Sequence, residues 1–152
     1  MDLTAQTIDL YIGVAFSGMH RVLDRLDDVT ANERPGDWGT NSVAGLIVHC
    51  CELTPSWIEM PGLGRDSIRD RDSEFTTHAT IAELRARIDA TVARVSTLVD
   101  EFVVGPTAGD HPLREFLASA DRSDASLIVH VLEELFQHLG HMEVTADALG
   151  RP

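Results

Sequence analysis

Apolar residues recur at helical spacing through four stretches of the chain, and nowhere do they alternate as in a strand over a useful length. In the first stretch Ile8, Tyr11, Ile12, Ala15, Met19, Val22 and Leu26 predict a helix from about Thr4 to Leu26. Residues 32–39 (NERPGDWG) break it. A second helix is expected to start after Thr40 or Asn41, both acceptable caps, and to carry Val43, Leu46, Ile47, Cys50 and Leu53. Pro55 lacks the amide hydrogen that a helix interior uses, which predicts a kink or restart near Thr54, before Trp57. Residues 60–75 (MPGLGRDSIRDRDSEF) read as a long loop or lid. Thr80 and Glu83 form a capping-box pattern that opens a third helix, with Ile81, Leu84, Ile88, Val92, Val95 and Val99 as its stripe. Gly105, Pro106, Gly109 and Pro112 end it, and residues 111–120 have room for a short helical turn. Ser123 or Asp124 starts a fourth helix running to about Leu149. Four helices of this length predict an all-α fold, a four-helix bundle formed by residues 1–152 as a single domain.

Composition sharpens this picture. Aromatic residues make up only 5% of the chain, so the interior is built from Leu, Val, Ile and Ala, which suits helices packed on helices. Twelve basic against 25 acidic residues give a formal charge of -13, with a sequence pI near 4.7. Such a surface repels phosphate backbones and anionic bilayers, which argues against nucleic-acid and membrane partners. There is no basic leader followed by an apolar core, and no apolar run approaches the roughly 20 residues that span a bilayer. Cys50 and Cys51 are adjacent and poorly placed for a structural disulfide. They read as reduced thiols in a cytoplasmic protein. All twelve basic residues are Arg, a bias that GC-rich genomes tend to write.

The candidate chemistry lies on the fourth helix, in HVLEELFQHLGH. His130, Glu134, His138 and His141 follow one another at steps of four and three along one stripe. Beside it runs the apolar stripe Ile128, Leu132, Leu135, Leu139 and Met142, expected to face the core. A lone histidine next to an apolar face is usually a packing residue; three with a glutamate at helical spacing suggest a metal. Glu134 and His138, an i,i+4 pair, can grip one ion. A third ligand has to come from another helix, and His49 is the histidine well inside the second. Three protein ligands leave a position for water or substrate, and nitrogen with carboxylate donors suits zinc, followed by nickel, iron or manganese. His141 is open to three roles: orienting His138, touching substrate, or replacing Glu134 as a ligand. His130 is a further candidate ligand. His20 is better explained by packing, and His78 and His111 fall in loops without an assignment.

The segments GTNSVAGLIVHCCEL and EELFQHLGHMEVTADAL resemble the two metal-bearing helices of the DinB-like superfamily. The likeness is closer to its thiol-dependent branch, the mycothiol-dependent maleylpyruvate isomerases and mycothiol S-transferases. Many DinB-like proteins carry His-x-x-x-His followed by Arg-Gly-Gln on the last helix. Here the matching stretch is Glu134-x-x-x-His138 followed by Leu139-Gly140-His141, and glutamate in that first position is the isomerase-branch pattern. The resemblance implies metal ligation by His49, Glu134 and His138. Full-length isomerases of that branch have an additional C-terminal domain with no counterpart here, so their substrate is not carried over.

These readings lead to an expected function: a thiol, with mycothiol favoured over bacillithiol or glutathione by the Lys-free composition, is activated by a divalent metal and attacks a small electrophile. The outcome is either a thioether conjugate or an isomerised substrate. Arg65, Arg69 and Arg71 are expected to grip a carboxylate on that electrophile, against the alternative that they pair with Asp66, Asp70 and Asp72. Trp57 and Trp38 are candidates for the pocket mouth. Two other readings remain beside this one: a metal-dependent hydrolase in which bound water attacks, and a metal-stabilised bundle that only binds. A homodimer through an exposed helix face would suit a bundle of this size.

Overall fold

A computed structural model describes residues 3–36, 40–117 and 121–149. Among them there is no strand. The helices are α1 (Ala5–Leu23), α2 (Val43–Trp57), α3 (Arg71–Glu74), α4 (Ile81–Val104) and α5 (Asp124–Ala148). Each long helix opens on a hydroxyl cap: Thr4, Ser42, Thr80 and Ser123 accept from the amide three residues on. At Thr80 the box is closed, with Glu83 reaching back to the Thr80 amide. The cap of α2 is thus Ser42 rather than Thr40 or Asn41. None of the helices is long and apolar enough to cross a membrane.

The expected break at Pro55 does not occur. Helix α2 runs through it to Trp57, although Pro55 has no amide hydrogen for the Cys51 carbonyl; one residue back the Thr54 hydroxyl donates to the Cys50 carbonyl at 2.8 Å. The disruption comes one step later, as a π-helical turn over Ile58–Gly62 that contains Pro61.

Helices α1 and α2 each pack against both α4 and α5. Ion pairs give the directions. Glu52 with Arg87 and Glu59 with Arg94 run in register, so α2 and α4 are parallel. His20 with Asp89 and Ser96 with Asp9 run in opposite register, so α1 and α4 are antiparallel. Arg25 bonds Asp147, which makes α1 parallel to α5. The result is an up-down-down-up bundle around a core of Leu, Val, Ile, Ala, Phe16 and Met19.

Two parallel neighbours joined in sequence require a connection that returns along the bundle, and residues 58–80 are that connection. It turns at Gly64, whose φ of +68° suits a residue without a Cβ. It then continues without helix or strand to α3, and at the end of α3 it lies so close to α2 that a Cβ on Gly45 would stand 3.3 Å from the Phe75 Cα. Asn32 pins its far end, exchanging hydrogen bonds with both backbone groups of Ala79. Covered by α4, α5 and this crossover, α2 is buried on nearly every face, including the face that carries a histidine.

Candidate metal centre

His49 lies mid-way along α2 and is only 2% exposed. A buried imidazole needs partners, and the crossover supplies them. Its ring stacks on Phe75, with centroids 4.8 Å apart, and its Nδ1 stands 2.8 Å from Oε2 of Glu74. Glu74 is equally buried, and Arg69 grips it through Nε (2.6 Å to Oε1) and Nη2 (2.9 Å to Oε2). A carboxylate held by a guanidinium is an acceptor, so the proton of the 2.8 Å contact sits on Nδ1 of His49. Arg69 Nη2 also lies 3.1 Å from Nδ1, but a guanidinium has only donors to offer. Both groups therefore converge on the Glu74 oxygen, and the lone pair of His49 is left on Nε2.

Facing His49 across the α2–α5 seam is His138, with ring centroids 4.6 Å apart and nearly perpendicular planes. One turn earlier on α5, Glu134 places Oε2 3.4 Å from His138 Nε2. One donor atom each from His49, Glu134 and His138 fall within 4.8 Å of one another. A tetrahedral ion with bonds of about 2.0–2.2 Å needs donors about 3.5 Å apart, so the α5 pair already has the right spacing. Burial lowers the pKa of His49 below the usual 6.5, against the opposing hydrogen bond to Glu74. Burial likewise lowers that of His138, against the opposing charge of Glu134. Both shifts favour the neutral ring, the form that ligates a metal. The donor chemistry fits a divalent ion.

His49 and Glu134 belong to the wall of a cavity of about 440 Å³, a size suited to a small ligand. Leu53, Ser56 and Trp57 continue that wall along α2, and Leu113 and Phe116 enter from a 3-10 turn over Pro112–Phe116. His130 closes it on α5, edge-on to Trp57 at 4.5 Å, and does not join the three clustered donors. His141 is half-buried near His138 and is also outside the cluster.

The three arginines of the crossover have separate fates. Arg65 is exposed, pairs with Glu101 at 2.6 Å and is not on the cavity wall. Arg69 lines the cavity but is committed to Glu74. Arg71 lines it too and, among the described residues, makes no hydrogen bond or ion pair. Its charge is close enough to contribute to the lowered pKa of His138. Of the interleaved acids, Asp70 caps α3 instead of pairing with an arginine. Trp38 lies outside the described residues. His20 is occupied on the α1–α4 seam by Asp89 and Arg85.

Cys50 and Cys51 are free and buried. Burial raises the Cys50 thiol well above its ordinary value and pushes Cys51 up to about 12, against the opposing hydrogen bond of Thr91. Neither forms a useful fraction of thiolate at neutral pH. The native protein is expected to resist a disulfide-exchange dye at pH 8, whereas the unfolded chain should release about two equivalents at once. Rapid labelling of the native form would place one thiol within reach of solvent.

Glu74 has no role in the chemistry legible from the sequence, because an acid inside an Asp- and Arg-rich run looks like solvated loop. The only local signal is Asp70, whose carboxylate accepts from the Ser73 amide and so starts the turn that turns Glu74 inward. The family model described as mycothiol-S-transferase matches residues 8–149, from the first turn of α1 to the end of α5. No curated protein and no solved structure matches the chain.

Proposed function

Because the chain belongs to the mycothiol S-transferase family, we propose that it joins the sulfur of mycothiol to a small electrophile, at a divalent metal, preferably zinc, held by His49, Glu134 and His138. The observation that carries this reading is the meeting of those three donors from α2 and α5 beside the 440 Å³ cavity. A divalent ion there supplies Lewis acidity, which lowers the pKa of a thiol so that thiolate is available at neutral pH. The chain's own thiols are buried, with pKa values raised by that burial, so the nucleophilic sulfur comes from the co-substrate. Trp57, Leu113 and Phe116 offer an apolar wall for the carbon skeleton of the electrophile. Arg71, which lines the cavity and makes no hydrogen bond or ion pair among the described residues, is assigned to receive a carboxylate or similar anion on that substrate.

In the reaction a carbon–sulfur bond forms while the thiol proton goes to solvent. The displaced electron pair leaves with a departing group or moves into a conjugated acceptor. The test incubates the zinc-loaded protein with mycothiol and a panel comprising a chloronitroarene, an epoxide and an α,β-unsaturated acid, with products read by mass spectrometry. Conjugate formed faster than in protein-free buffer, and abolished by a chelator, is the expected result. Products that appear equally fast without thiol would transfer the reading to a metal-dependent hydrolase.

A further inference from the structure

We propose that Glu74 is a positioning residue for the metal ligand His49, and that Arg69 serves to hold Glu74 rather than substrate. The inference rests on the metal-site reading above and extends it to the crossover. Phe75 packs on the face of the His49 ring and His138 meets it edge-on, and among the described residues the hydrogen-bonding groups at the ring nitrogens come from the crossover, not from α2 or α5. The choice between presenting Nε2 or Nδ1 to Glu134 and His138 is made by the Glu74 carboxylate, 2.8 Å from Nδ1. A carboxylate buried to that degree needs a counter-charge, and the bidentate grip of Arg69 supplies it. Glu74 is the last residue of α3 and Arg69 lies two residues before its first, so this four-residue helix is the brace that presents the carboxylate to α2. A carboxylate behind a ligating histidine fixes its tautomer and raises its basicity, and losing one typically weakens metal binding about 10–100-fold.

Two measurements test this, one of them without metal. In long-range proton–nitrogen spectra of the metal-free protein, His49 is expected as the Nδ1–H tautomer. In Glu74→Gln that preference should weaken or reverse. Zinc affinity, measured by chelator competition, should fall about 10–100-fold in Glu74→Gln, with Glu74→Asp recovering part of the loss. Glu74→Gln leaves Arg69 without its counter-charge, so Arg69→Met/Glu74→Gln serves as the second variant if the single one folds poorly. A His49 found as the Nε2–H tautomer in the wild type, or unchanged zinc affinity in a folded Glu74→Gln, overturns the inference. A wild type that binds no zinc overturns the metal-site reading instead, and the tautomer measurement still decides the role of Glu74.

Discussion

His138→Ala is expected to abolish stoichiometric metal retention and to reduce thiol transfer to the background rate. Wild-type protein should carry about one equivalent of zinc after reconstitution and desalting. Structural zinc sites bind with about 10–16 kcal/mol over four ligands, so one ligand is worth about 2.5–4 kcal/mol, or about two to three powers of ten in affinity. His138 is the right residue for this test because its side chain is only partly buried and its nearest polar partner, Glu134, keeps access to solvent. Its removal costs the metal-free fold little. His49→Ala is a poorer probe, since it would strand the buried Glu74–Arg69 pair beside a new void. Elemental analysis and thermal melting of the metal-free forms together check the prediction. Equal zinc content in wild type and His138→Ala would remove His138 from the site.

The helices were legible because each kind of signal agreed with the others: hydroxyl caps at Thr4, Thr80 and Ser123, apolar stripes at helical period, and Gly or Pro beyond the ends. The misreadings have local causes. Ser42 captures the cap of α2 because it is the residue whose hydroxyl reaches the Gly45 amide. Pro55 sits inside a helix that burial on nearly every face holds together, so tertiary packing outweighs the missing amide hydrogen. The helical spacing of Glu134 and His138 put two of the candidate donors on one stripe, and the structure brings His49 to them from α2.

What period and propensity cannot carry is the path of residues 58–80, since a run of Gly, Arg and Asp is equally compatible with a solvated loop. Its course follows from bundle topology: with α2 and α4 parallel, the chain has to return along the bundle, and Gly45 leaves the groove in which it lies. That return separates three arginines that look equivalent in sequence. One faces Glu101, one is locked to Glu74, and Arg71 alone is left facing the cavity without a partner among the described residues. The same return brings Glu74 to His49.

The largest effect on stability is expected from Arg114→Ala, a position remote in sequence from the histidines. Arg114 is 2% exposed and ties three segments together. Its Nε donates to the Pro61 carbonyl in the π-helical turn at 2.9 Å, Nη1 to the Arg122 carbonyl at 2.7 Å, and Nη2 to Asp124 at the start of α5 at 2.6 Å. Truncation leaves a void and the buried Pro61 carbonyl without this donor, at about 1–3 kcal/mol for the group left unsatisfied, while the carbonyl of the exposed Arg122 can turn to water. Asp124 suffers less, because it is partly exposed and still accepts from Thr107. A total of about 3–4 kcal/mol corresponds to a fall of about 6–16 °C in Tm for a chain of this size. Arg114→Lys should be intermediate, since one ammonium cannot span three acceptors in the fixed geometry of a guanidinium. The functional consequence separates this strap from the metal donors. Leu113 and Phe116 flank Arg114 and form the cavity wall, so the variant should keep its zinc below its Tm while KM for the electrophile rises. A melting temperature within about 2 °C of wild type, well short of that expected fall, would show that the turn over Pro112–Phe116 is held by its apolar contacts and that the buried guanidinium is dispensable.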